Sequence, residues 1–244
     1  MSSTAPGPLV AVLDYGIGNL RSAQKALQHC GADARLTADA GLIADAAAVV
    51  LPGVGAFGAC MQSLRAAGLE PLVHDAVASG RPFLGICVGM QMLFSDSEED
   101  PFDAGLGVIE GSIRWITDQL PRPQMQWNQL ELVGPDPMFE GLGEHPWVYF
   151  VHSLHAVPAH SSAVAATCEY GGVVNAAFRQ ANVFATQFHP EKSGPAGLAL
   201  LRNFVRLVQP DVDQPGVVSP GVVSPGVVSP GVVSPGVAAA EASA

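Results

Sequence analysis

The sequence predicts an α/β fold, with a mainly parallel central sheet flanked by helices and antiparallel strands added to it. Three observations carry this. Short apolar runs alternate with stretches of helical period through residues 9–94, glycine-rich segments follow several of those runs, and from Val108 onward the pattern changes to short extended segments. Strands alternating with helices need both sheet faces covered, and such sheets present their sites beyond the carboxyl ends of the strands.

Leu9 to Asp14 is the first apolar run. It is ended by Tyr15-Gly16-Ile17-Gly18-Asn19, after which Leu20, Ala23, Leu27 and Cys30 recur at helical spacing until Gly31. Ala47 to Leu51 is the next buried strand, followed by the loop Pro52-Gly53-Val54-Gly55 and by two helices within Ala56 to Ser79. Pro82 to Ile86 supplies another strand and Val88 to Phe94 another helix. From Val108 to Phe188 the extended segments, such as Trp147 to Val151 and Val173 to Phe178, are expected as antiparallel additions to the same sheet. A final helix runs from about Pro195 to Val208, with Leu198, Leu201, Val205 and Val208 on one face.

Nearly half of the 244 residues are apolar, enough for a substantial core. Twenty-two acidic residues against 11 basic ones give a formal charge of −11, which argues against nucleic acid or anionic membrane as principal partners. Neither a basic-then-apolar start nor an apolar run of about 18 residues is present, so a cytoplasmic protein without a membrane span is expected. Cys30, Cys60, Cys87 and Cys168 are scattered without CxxC spacing and are expected as reduced thiols. Near the end, Pro215-Gly216-Val217-Val218-Ser219 recurs in four full copies and a partial fifth ending at Val237. Each Pro-Gly pair suits a type II turn, but the unit carries too little side-chain variety for a packed layer. The expected organisation is a flexible N-terminus over 1–8, one domain over 9–209 and a disordered tail over 210–244.

Gly85-Ile86-Cys87-Val88-Gly89 sets a cysteine between two glycines where a buried strand passes into a helix. Glycines permit a sharp turn that lifts the sulfur above the sheet, and a helix N-terminus lowers a thiol pKa. The Val88 N–H follows, placed to donate to an oxyanion. A free cysteine is more often a small core residue, which is the reading for Cys30, Cys60 and Cys168. A second segment, Gln187-Phe188-His189-Pro190-Glu191-Lys192, tips Cys87 the other way. Proline biases His189 toward an extended backbone, so His189 and Glu191 can project to one side, the carboxylate orienting the imidazole. A cysteine, a base and a base-orienting carboxylate are what acyl transfer through a thioester requires.

Gly-Ile-Cys-Val-Gly-Met-Gln at 85–91 and Gln-Phe-His-Pro-Glu-Lys-Ser at 187–193 resemble the two triad segments of the class I glutamine amidotransferases. Asp14 to Asn19, Pro52 to Phe57, Trp127-Asn128 and Tyr149 to Ser153 further resemble the glutaminase subunits of imidazole glycerol phosphate synthase within that family, the likeness covering residues 9–208 in order. The resemblance implies a flavodoxin-like fold in which Cys87 attacks the glutamine amide, His189 handles protons and Glu191 holds the imidazole. It further implies that Gln91 binds substrate, that the backbone of Ser153 and Leu154 seats its amino-acid end, and that the Gly53-Val54 peptide joins Val88 in an oxyanion hole. Ammonia would pass to a separate (β/α)8-barrel cyclase, which Trp127, Tyr149 and Lys192 would face. No cofactor and no metal are implied.

The sequence departs from the family at Val88, Gln124, Gln126 and Leu154, none of them in the triad. Arg21 stands where a dinucleotide loop needs its third glycine, Gly53-Val54-Gly55 lacks the Gly-Lys-Ser/Thr of a phosphate loop, and His152 with His155 matches no strong zinc pattern. Met90 stands where the glutaminase components of anthranilate synthase and guanylate synthetase usually carry histidine, and the intact triad disfavours an inactive partner-binding scaffold.

Overall fold

The structure is a computed structural model and describes residues 7–17 and 20–208. The expectations for 1–6 and 209–244, including most of the flexible N-terminus and the pentad tail, and for Gly18 and Asn19, lie outside the described residues.

Four strands, β1 (Leu9–Leu13), β2 (Asp33–Thr37), β3 (Ala48–Gly53) and β4 (Phe83–Cys87), form the parallel half of the main sheet. Between them lie α1 (Leu20–His29), α2 (Ala40–Asp45), α3 (Phe57–Ala66) and α4 (Glu70–Ala78), and a short α5 (Val88–Gln91) follows β4. The rest of the chain supplies β5 (Asp96–Ser97), β6 (Gly111–Trp115), β7 (Gln124–Gln129), β8 (Glu131–Leu132), β9 (Trp147–His152), β10 (Leu154–Pro158), β11 (Val164–Glu169), β12 (Val173–Gln180), β13 (Val183–Thr186) and α6 (Gly194–Val208).

The main sheet has eight strands in the order β2-β1-β3-β4-β13-β12-β11-β8. β13 returns parallel to β4, with Thr186 opposite Ile86, while β12, β11 and β8 add antiparallel to the edge. The α/β expectation is therefore met. Every residue of β3, β4 and β13 is buried, as a sheet covered on both faces requires. Phe94 on Phe178 and Phe139 on Phe184 pack edge to face at 5.1 and 5.4 Å within the core.

Three details differ from the sequence expectation. β2 and α2 were not expected, because Asp33-Ala34-Arg35-Leu36-Thr37 is a half-polar edge strand with no apolar run, and the six-residue α2 depends on Asp39, whose carboxylate accepts the Leu42 N–H at 2.8 Å. α5 stops at Gln91, short of the expected Phe94. The Leu93 and Phe94 N–H groups bond to Met90 and Gln91, three residues back, instead of four, and the freed carbonyls of Met92, Leu93 and Phe94 accept from Leu106, Ile109 and Gly107. Finally, the additions from Val108 to Phe188 are not all antiparallel members of the main sheet: Trp147 to Val151 lies in a two-stranded β7-β9 sheet, β10-β6-β5 forms another, and Val183 to Thr186 joins the main sheet parallel to β4.

Candidate active site

β4 and β13 are neighbours in parallel register, so the segments leaving their carboxyl ends emerge side by side. Cys87 ends β4 and His189 follows β13 by three residues. Cys87 has φ 55° and ψ −115°, a region L residues rarely occupy, at a cost of about 1–3 kcal/mol. The two glycines make that turn possible. A Cβ on Gly89 would lie 1.9 Å from the Leu51 carbonyl oxygen, and one on Gly85 would lie 2.8 Å from Leu93 Cδ1, so α5 can nest on β3 and β4 only where these side chains are missing.

His189 is held from both directions. Its N–H donates to the Tyr149 carbonyl at 3.1 Å, its carbonyl accepts from the Ser193 hydroxyl at 2.6 Å, and that hydroxyl in turn accepts the Tyr149 N–H at 3.0 Å. The backbone of the histidine is thus stapled to β9. Its Nδ1 donates to Glu191 Oε1 at 2.8 Å, and the Nε2 is buried with no hydrogen-bond partner among the described residues. Burial works against the imidazolium, but the Cys87 sulfur and the Glu191 carboxylate outweigh it, and the pKa of His189 is pushed up to about 9.

A cleft of about 390 Å³ lies against these groups. Of the residues expected from sequence, Cys87, His189, Val54, Val88, Gln91, Ser153, Leu154 and Lys192 line it. Gly53 sits just beneath, opposite Cys87 in the β3-β4 register. Glu191 reaches the cleft only through His189. Trp127 and Tyr149 do not line it; they pair across β7 and β9 with ring centroids 6.0 Å apart, Trp127 being half exposed. Lys192 is exposed at the rim.

Two side chains that sequence reasoning gave no role belong to this site. Gln187 donates through Nε2 to the Cys87 sulfur at 3.8 Å, and its Oε1 accepts from Gln91 Nε2 at 3.1 Å. Its position two residues before His189, on the same side of an extended segment, was the available signal. Glu99 also lines the cleft, its Oε2 accepting the Phe57 N–H at 2.7 Å. It stands in the acidic run Asp96 to Asp100, which in sequence is indistinguishable from a solvated surface.

The far wall rests on a buried polar chain. His152 Nδ1 lies 2.7 Å from the Leu154 carbonyl oxygen and its Nε2 2.9 Å from Gln124 Oε1. Burial pushes its pKa down to about 4, so the ring is neutral and carries a hydrogen on one nitrogen only. The Leu154 carbonyl accepts from Gln91 as well, and the Ser153 carbonyl from the Ile116 N–H. Cys60 and Cys168 are buried, Cys30 is half-buried, and all four thiols are free.

The glutamine amidotransferase class-I family model matches residues 11–208, and a repeat model, GLTT repeat (6 copies), matches 214–238. The chain is 48% identical to the imidazole glycerol phosphate synthase subunit HisH of Syntrophotalea carbinolica over 204 residues, covering 80% of this chain and 98% of that one. It is likewise 48% identical to that of a Synechococcus species over 203 residues, covering 82% of this chain and 94% of that one. A crystal structure of a glutamine amidotransferase, 25% identical, superposes with a TM-score of 0.65 over 82% of this chain and 98% of that one. The chain belongs to the class I glutamine amidotransferases and, within them, to the imidazole glycerol phosphate synthase HisH subunits.

Proposed function

We propose that Cys87, His189 and Glu191 carry out the glutaminase reaction of this subunit, which releases ammonia from glutamine for histidine biosynthesis. The observation that carries the reading is a buried, strained cysteine beside a histidine whose Nδ1 is committed to a carboxylate and whose Nε2 is left without a partner. The Cys87 sulfur attacks the amide carbon, and the carbonyl electrons move to oxygen. Val88 N–H and Val54 N–H are the donors for that oxyanion. As the tetrahedral centre collapses, protonated His189 gives its Nε2 proton to the departing nitrogen and ammonia leaves a γ-glutamyl thioester. His189, now neutral, takes a proton from water, which attacks the thioester carbon and frees glutamate and Cys87.

Substrate placement follows from charge. Glu99 is an acidic side chain of the cleft wall and suits the α-ammonium of glutamine. Gln91 lines the cleft with its nitrogen already held by Leu154 and Gln187, which leaves its oxygen as the group available to substrate. The carbonyls of Ser153 and Leu154 are engaged within the protein, which leaves backbone N–H groups at that corner for the carboxylate.

The enzyme works with a partner subunit that consumes the ammonia to form imidazole glycerol phosphate and aminoimidazole carboxamide ribotide. The finer reading is that the partner is a (β/α)8 barrel docking over Trp127, Tyr149 and Lys192, and that the complex is cytoplasmic. No described helix is long and apolar enough to cross a membrane. Residues 9–209 are read as the whole catalytic domain and 210–244 as a tail without a catalytic part. The test is labelling by a diazoketone analogue of glutamine in the presence of the partner. Alkylation of Cys87 alone is expected, whereas modification of Cys30, Cys60 or Cys168 in its place contradicts the assignment.

A further inference from the structure

Two buried groups outside the triad act on the end of β3. The Tyr15 hydroxyl, in the loop after β1, donates to the Pro52 carbonyl at 2.6 Å. The Cys60 thiol, on α3, donates to the Val54 carbonyl at 3.4 Å. Both side chains are almost fully buried. Between the two pinned carbonyls lies a single peptide unit, the one made of the Gly53 carbonyl and the Val54 N–H.

Gly53 is hemmed in laterally too. A Cβ there would stand 2.6 Å from Gly89 N, 2.9 Å from the Tyr15 hydroxyl and 3.0 Å from the Val88 carbonyl carbon. Its α-carbon is wedged between Tyr15 and the first turn of α5, the turn that follows Cys87. On the other side Gly55 has φ 100°, a conformation that costs glycine little. A rigid anchor therefore precedes the Gly53-Val54 peptide and a permissive residue follows the second pinned carbonyl.

We propose that Tyr15 and Cys60 are positioning residues that clamp the carbonyls on either side of the Gly53-Val54 peptide, so that its N–H is held at the oxyanion of the reacting glutamine. This rests on the reading of Val54 N–H as an oxyanion donor. A buried tyrosine and cysteine needing acceptors would be satisfied by any two carbonyls. That the two chosen flank one peptide, directly against the turn bearing the nucleophile, is what assigns them to the site. Because the clamp acts on a group that matters only when the tetrahedral intermediate forms, its loss lowers kcat and leaves KM nearly unchanged.

The test uses the full chain assembled with its partner subunit and that subunit's substrate. Tyr15→Phe and Cys60→Ala are each expected to lower glutaminase kcat by about 3- to 10-fold, the effect of one neutral hydrogen bond, with KM for glutamine moving less than about twofold. Inhibition by glutamate γ-semialdehyde, whose adduct with Cys87 carries an oxyanion, should weaken by the same factor, and Cys60→Ser, which keeps a donor, should restore the rate. A chain in which the amide of Val54 is replaced by an ester, removing that N–H alone, separates the two readings. If the ester lowers kcat while Tyr15→Phe, Cys60→Ala and their combination do not, the clamp is refuted and the oxyanion donor stands. If the ester itself leaves kcat unchanged, the donor reading fails and the clamp with it. Lowered melting temperature in the two variants with unaltered kcat would make both residues merely structural and overturn the proposal.

Discussion

His189 Nδ1 stands 2.8 Å from Glu191 Oε1, with both side chains nearly withdrawn from solvent. In the proposed mechanism this pair sets the pH range of the reaction. Because the pKa of His189 is raised to about 9, the imidazolium proposed to protonate the leaving nitrogen persists up to that pH and is lost above it. The kcat/KM profile should therefore fall on its alkaline side near 9. Glu191→Gln removes the carboxylate that favours the charged ring, so this limb should move to lower pH and kcat should fall by about 10²- to 10⁴-fold.

His152 makes the opposite prediction for stability. Its folded pKa is depressed to about 4, so in the interval from its ordinary value of 6.5 down to 4 the unfolded chain binds a proton that the folded chain does not. The neutral ring contributes its stability above 6.5, and that contribution is lost as pH falls through 4. Chemical denaturation at a series of pH values should show stability declining across this window, and His152→Gln should flatten the decline.

Gly89→Ala should fail for steric reasons. The added methyl would meet the Leu51 carbonyl, a backbone group that cannot swing aside, so α5 must lift from β3 and carry Cys87 with it. Loss of about 1–3 kcal/mol of stability, with glutaminase activity falling by more than the unfolded fraction explains, is the expected result. Thermal melts and activity measured on the folded protein would check it.

Trp127 is 47% exposed and stacks edge to face on Tyr149, whose backbone holds the His189 segment. A half-exposed aromatic on a strand tied to the site is the anchor expected at a docking face. Trp127→Ala should weaken association with the partner subunit by about 2 kcal/mol, measured by calorimetry, while the melting temperature of the free chain changes little.

The candidate site was partly legible in the sequence because the geometry of each half is local. Glycines on either side of Cys87 dictate an elbow, and a proline between His189 and Glu191 sets both on one side, so each half of the triad announced itself within a few residues. What joins the halves, the parallel pairing of β4 with β13, was not legible, because Val183 to Thr186 lies in the stretch expected as antiparallel and its direction depends on tertiary pairing. Glu99 and Gln187 escaped because their roles depend on tertiary neighbours, Phe57 N–H for one and the Cys87 sulfur for the other. Strand β2 escaped because an edge strand does not need apolar residues throughout, and the early stop of α5 because Leu93 and Phe94 tighten into turns bonded three residues back, which no periodicity records. The placing of Trp147 to Val151 in a separate sheet likewise depends on its pairing with Gln124 to Gln129, which no periodicity records.

The central claim is that Cys87 generates ammonia for use by another subunit. Cys87→Ala, purified as a complex with the partner, separates the two steps when synthesis is measured with glutamine and then with ammonium salt as nitrogen donor. Glutamine-dependent synthesis should vanish while ammonia-dependent synthesis remains close to that of the unaltered complex. Retention of the glutamine-dependent rate, or equal loss of both rates in a complex that still assembles, would contradict the account.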